Sequence, residues 1–125
     1  FWGWARDRFG SAERFFDRVF VANWCPLVFM DESGRNRTPD RLPVAERMPL
    51  FRACNEALAR VAEALRPTLV IGVGAFAAKR AAEAVGESAA VGCILHPSPA
   101  SPAANRDWAG FVDVQLEELG FAPPR

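Results

Sequence analysis

The sequence predicts an α/β fold built on a mostly parallel central sheet with helices on both faces. Three observations carry this. Val19–Cys25, Thr68–Gly74 and Val91–Leu95 are almost continuously apolar runs of strand length, as expected for strands buried on both faces. Segments with helical spacing stand between them. Proline and glycine mark the junctions. Three strands are few, since sheets usually hold about five or six, so the sheet is expected to be incomplete at its N-terminal side. The 125 residues fit one domain, 1–125.

In chain order, Phe1-Trp2-Gly3-Trp4 is an aromatic start that should dock on the core. Ser11 can cap a short helix containing Arg14, Phe15 and Phe16, with Glu13 favouring its first turn. Val19–Cys25 reads as a buried strand ended by Pro26. Polar, glycine-containing Asp31–Asp40 reads as a loop, and Thr38-Pro39 or Leu42-Pro43 can open the next helix. From Val44 to Leu65, the residues Leu50, Ala53, Ala57, Leu58, Val61 and Leu65 recur at three- and four-residue steps. Pro49 is expected to divide this helix and Pro67 to end it. The strand Thr68–Gly74 precedes an alanine-rich helix, Ala75–Val85, stopped by Gly86. After the strand Val91–Leu95 comes a proline-stiffened loop. A last helix, begun near Pro102 and running over Ala103–Leu119, is closed by Gly120.

Half the residues are hydrophobic, which is enough for a packed core and counts against disorder. Formal net charge is zero, which counts against a general polyanion binder. The charged loop around Arg35, Arg37 and Arg41 is offset by Asp31, Glu32, Asp40 and Glu46 and reads as solvated. Cys25, Cys54 and Cys93 lack metal-ligand spacing and read as buried free thiols in a reducing compartment. No apolar run approaches the roughly 20 residues of a membrane helix. All but one of the fifteen basic residues are arginine, and alanine is abundant. That bias suggests GC-rich coding and a bacterial source, hence a cytoplasmic, nucleoid-associated place, or the nucleus in a eukaryote.

Three features are candidates for chemistry. His96, the only histidine, directly follows the last strand, and prolines 97, 99 and 102 stiffen the loop behind it. Ligands of open α/β sheets bind beyond the carboxyl ends of strands, so His96 is a site candidate; the alternative is a histidine that only packs. Gly72-Val73-Gly74-Ala75-Phe76-Ala77 fits the G-x-G-x-x-A dinucleotide fingerprint. The ribose-holding acid is missing from Cys93-Ile94-Leu95-His96, so a tight strand-to-helix turn, with at most one phosphate contact, is the better reading. Asn23 ends a hydrophobic run. Its carboxamide either caps the backbone or matches the N3–H and O4 of uracil. Trp108 reads as packing its helix on the sheet.

Taken together, His96-Pro97-Ser98-Pro99 with Asn105 and Trp108, Asn23-Trp24-Cys25-Pro26-Leu27, Gly34–Pro39, Val70–Gly74 and Phe1-Trp2-Gly3 resemble the single-strand-selective monofunctional uracil-DNA glycosylases, in the family's order and over the whole chain. The resemblance implies a three-layer α/β/α sandwich, uracil-DNA glycosylase-like. It implies that His96 lies against the leaving base and that Asn23 reads the base's Watson–Crick edge. It implies that Pro97, Ser98, Pro99, Ala100, Ser101, Pro102 and Asn105 contact DNA as a wedge where the nucleotide is flipped out. The partner is then uracil-containing DNA, with no cofactor, no metal and a monomeric enzyme. Two departures stand out. Ala100 occupies the place of a larger, cationic wedge residue. The family's first motif, with the asparagine that positions the attacking water, has no counterpart here, so this looks like the C-terminal part of the domain, inactive alone. A non-catalytic nucleic-acid-binding module that keeps the wedge loop is the alternative.

Overall fold

The computed structural model describes residues 1–122 and 124. Its class is α/β. Helix α1 spans Trp2–Phe9 and α2 spans Ala12–Phe16. Short strands β1 (Phe29–Met30) and β2 (Asn36–Arg37) precede a 3-10 turn at Pro39–Arg41. Helix α3 covers Val44–Leu65, β3 Leu69–Val73, α4 Ala75–Val85, β4 Ala90–Ile94 and α5 Pro102–Glu118.

Strands β3 and β4 are parallel, with Val73 opposite Ile94. Side chains alternate along each strand, so Ile71, Val73, Gly92 and Ile94 share one face and Gly72 and Cys93 the other. The first face is covered by α5 and α1. Ile94, Val112 and Leu116 are buried there with Trp4, Ala5 and Phe9, and Ile71, Val73 and Leu119 pack against them. On the second face α4 packs over β3 at Gly72 and leaves Cys93 of β4 exposed. Gly72 permits this, because a Cβ at that position would lie inside the backbone of Ala77 and Ala78.

Local sequence explains most boundaries. Ser11 accepts a hydrogen bond from the Arg14 amide at 3.3 Å and starts α2. Pro43 stands at the N-cap of α3, and Arg66 in the left-handed region ends it one residue before Pro67. Gly86, at φ +54°, stops α4.

Five expectations need correction. Val19–Cys25 is not a buried strand. The segment has no regular structure, and Phe20 and Val21 are 65% and 40% exposed. A strand needs a partner for its N–H and C=O groups, and no neighbour pairs with this segment among the described residues. Asp31–Asp40 is more ordered than a loop. The Asp31 carboxylate accepts from the Ser33 and Arg35 amides, both at 3.0 Å, and Gly34 at φ +80° closes a hairpin between β1 and β2. Pro49 does not divide α3, because its fixed φ is helical and only one ladder bond is lost. Cys25 is half-buried and Cys93 is exposed. The apolar neighbours that suggested burial of Cys93 face α5, while Cys93 points the other way. Finally, α5 is kinked at Asp107 (φ −157°, ψ 72°), where the carboxylate accepts from the Gly110 amide at 3.0 Å and so caps a second helical piece.

Helix α1 is tied to α5 through Asp113, which accepts from Trp4 Nε1 at 2.7 Å and Arg8 Nε at 2.9 Å and pairs with the Arg8 guanidinium. The Arg8 hydrogen bonds, with help from Trp4, hold the Asp113 carboxyl below the ordinary aspartate value of 3.8. A carboxyl whose pKa falls on folding stabilises the folded chain above its unfolded value. That contribution is lost as pH falls through the folded value. Asp113→Asn, which keeps an oxygen for Trp4 but no charge for Arg8, is therefore expected to lower Tm near neutrality. The gap from wild type should close progressively below pH 3.8. Thermal melts across that range check it, and a gap independent of pH would mean that the ion pair contributes nothing.

Candidate active site

Parallel pairing brings two strand ends together. The Gly74 amide donates to Ile94 O at 2.8 Å, extending the ladder one step past β3. The chain then turns at Gly74, whose φ of +92° only glycine adopts readily, and enters α4. On the neighbouring strand, Leu95 and His96 follow Ile94. A Cβ on Gly74 would lie 3.1 Å from His96 Cβ and 3.4 Å from its Cδ2. The two glycines of the G-x-G turn thus have packing reasons: Gly72 admits α4 and Gly74 admits His96. Neither needs a dinucleotide.

The His96 imidazole is exposed and makes no hydrogen bond or ion pair among the described residues. Its backbone, by contrast, is held on both sides. Ahead of it, Leu95 N–H donates to Gln115 Oε1 at 2.8 Å and Leu95 O accepts from Trp108 Nε1 at 2.7 Å. Behind it, His96 O accepts from the Ser98 amide at 2.8 Å. Four further bonds shape the loop, one of them from the Ala100 amide to Ser98 Oγ at 3.3 Å. Ser98 O accepts from the Ser101 amide at 2.9 Å, Asn105 Nδ2 donates to Pro99 O at 2.8 Å, and Ser101 caps α5 by accepting from the Ala104 amide at 3.4 Å. Pro102 takes the first helical turn. Pro97, Pro99 and Ala100 are exposed along this loop, and Ser98 and Ser101 are half-buried.

Asn23 lies in the irregular segment before β1. It is exposed, and its carboxamide bonds to nothing among the described residues. It lines a cleft of about 350 Å³ between its own segment and the apolar stripe of α3, which includes Leu50, Leu58 and Val61. Its neighbour Trp24 is anchored. The indole N–H donates to Asn55 Oδ1 at 2.8 Å, and the ring meets Phe51 and Phe76 edge-on at 4.9 and 5.3 Å. Arg80, only 8% exposed, lies 4.9 Å from the Phe51 ring centre and pairs with Glu83. No hydrogen bond joins Asn23 to His96. The route between them runs through Trp24, Phe76 and the turn at Gly74.

The structure therefore brings His96, Gly74 and the Pro97–Pro102 loop to one end of the strand pair. It sets Asn23 across an aromatic cluster from them. Sequence reading missed Arg80 and the Trp24 cluster, because an arginine in an alanine-rich helix carries no burial signal. It also missed the Asp107 kink, although an aspartate three residues before Gly110 is an N-cap pattern. Among the described residues no group of three or more potential ligands could hold a metal ion, and no helix is long and apolar enough to cross a membrane.

The sequence description of the uracil DNA glycosylase superfamily matches residues 2–118. The chain belongs to that superfamily. It is 43% identical over 126 aligned positions to the single-strand selective monofunctional uracil DNA glycosylase of Bos taurus, covering 98% of this chain and 46% of that protein. The proteins of that name from Rattus norvegicus and Mus musculus are 43% and 42% identical, with 98% of this chain and 45% of each relative covered. The chain thus spans a little under half the length of these relatives. Within this uracil DNA glycosylase superfamily chain the matched region holds both strand ends, His96, its loop and Asn23.

Proposed function

We propose that this chain is part of a monofunctional DNA repair glycosylase that hydrolyses the N-glycosidic bond of uracil, and of 5-modified uracil, leaving an abasic site. The observation that carries this is the exposed, unbonded His96 imidazole, set on a fixed backbone at the carboxyl ends of two parallel strands. Membership of the superfamily and the relatives' names support it. The layering of α4, the β3–β4 pair and α5 is read as the heart of a three-layer α/β/α sandwich with a mostly parallel sheet, and residues 1–125 as one domain of it.

Chemically, the base leaves as the sugar gains oxocarbenium character and uracil gains negative charge. His96 donates a hydrogen bond to the developing anion at O2. A donor fixed before substrate arrives loses no reorganisation energy when the charge appears. Asn23 offers an acceptor and a donor pair to the uracil edge. Pro97, Ser98, Pro99, Ala100, Ser101, Pro102 and Asn105 form the wedge that holds the duplex open around a flipped nucleotide. In this assignment Asn105 also braces the loop through Pro99 O. Water attacks the sugar carbon. Lys79, the one lysine of these 125 residues, lies on exposed helix surface, and a Schiff base with strand cleavage is not expected of it. The partner is uracil-containing DNA, met by a monomer in the bacterial cytoplasm, or in the nucleus of a eukaryote.

The 125 residues alone should turn over little uracil, because the family's water-positioning motif has no counterpart among them. The test is an excision assay on a uracil-containing oligonucleotide, with this chain and with the intact natural protein. Abasic sites are expected from the intact protein and few from the 125 residues. An intact protein that binds the oligonucleotide but releases no uracil would overturn the reading in favour of a binding module.

A further inference from the structure

We propose that Trp108 and Gln115 are positioning residues that set the place of His96, an inference that rests on the role just given to that histidine. Ile94 O points to β3, where it accepts from Gly74. In a strand the polar groups of successive residues alternate sides, so both polar groups of Leu95 face away from β3. No strand lies there among the described residues. Gln115 and Trp108 fill the gap, one accepting from Leu95 N–H and the other donating to Leu95 O.

The second bond matters most. Leu95 O belongs to the peptide plane that ends at His96 Cα. That plane is rigid, so fixing its oxygen fixes where His96 begins. The indole that holds it is itself held, with Phe1 and Trp4 rings at 6.3 and 6.2 Å from its own. Both clamp residues lie beyond the Asp107 kink, on the piece of α5 that buries Val112 and Leu116. They are not on the short piece that carries the proline loop. His96 is thereby referenced to the core, while the loop is joined to it only through its own local bonds.

Single-turnover uracil excision by the intact protein tests this with a double-mutant cycle. Gln115→Leu removes the acceptor, and Trp108→Phe removes the donor while keeping a ring. Each is expected to slow excision about tenfold, because small misplacements of a reacting group are costly, with DNA affinity unchanged. Gln115→Glu, which keeps an oxygen in reach, should restore most of the rate. In a His96→Ala background Gln115→Leu should have no further effect, since there is no imidazole left to misplace. Equal slowing in both backgrounds would overturn the clamp and leave Gln115 a stabilising side chain only. So would a Gln115→Leu protein as fast as wild type. A His96→Ala protein as fast as wild type would instead overturn the role of His96, and the clamp with it. Should Trp108→Phe fail to fold, the Gln115 series decides alone.

Discussion

His96→Ala in the intact protein should slow uracil excision by about 10²–10³, the usual cost of removing one preorganised donor from a developing oxyanion. DNA binding should persist. The structure makes the experiment clean in one respect. The imidazole bonds to nothing among the described residues, and changes at exposed, unbonded positions usually shift stability by no more than about 0.5 kcal/mol. Slower excision would therefore not be a folding defect in disguise. The assignment to the leaving base, and not to the water, is tested by the base itself. 5-Fluorouracil leaves more easily and needs less stabilisation, so the loss should shrink on that substrate. A loss of equal size on every base would move His96 to water activation and end the present assignment.

The second large effect concerns Asn23. Asn23→Ala should abolish most discrimination for uracil, since sites that read polar edges separate substrates by ~10⁴–10⁵. The uracil edge would be left unpaired, at roughly 1–3 kcal/mol for a buried group. Asn23→Asp should lower uracil excision and admit cytosine when the acid is protonated. The free carboxamide again matters, because its removal breaks no bond among the described residues, so Tm should hold while excision falls. Unchanged kinetics in Asn23→Ala would reduce the residue to a surface amide.

How much of this was legible beforehand depended on whether the information was local. Helices α3 and α4 and strands β3 and β4 fall within a residue or two of their sequence limits. Periodicity, an apolar run, Pro67 and Gly86 are all local signals. The proline loop and the exposed strand-end His96 were legible for the same reason. Val19–Cys25 was misread because a strand is a relation between two segments, and an apolar run does not say whether the second exists. Cys93 was misread because burial depends on which face a neighbour covers. Arg80 could not have been found from its helix alone. Its place is set by Phe51, from α3, over which its guanidinium lies.

Cys54 is buried on α3 and lines the same cleft as Asn23, which has a consequence in reaction kinetics. Burial, with the Cys54 thiol donating toward Cys25 adding to it, pushes the Cys54 thiol up to about 11. The thiolate is the form that reacts. At pH 8 only about one Cys54 in a thousand would be ionised, and its sulfur is shielded as well. Cys93 stands in the open on the far strand. An alkylating reagent is therefore expected to modify Cys93 in the native fold and to reach Cys54 more slowly, as the cleft it shares with Asn23 opens. The pace of Cys54 modification is a clock for how often the segment carrying Asn23 parts from α3.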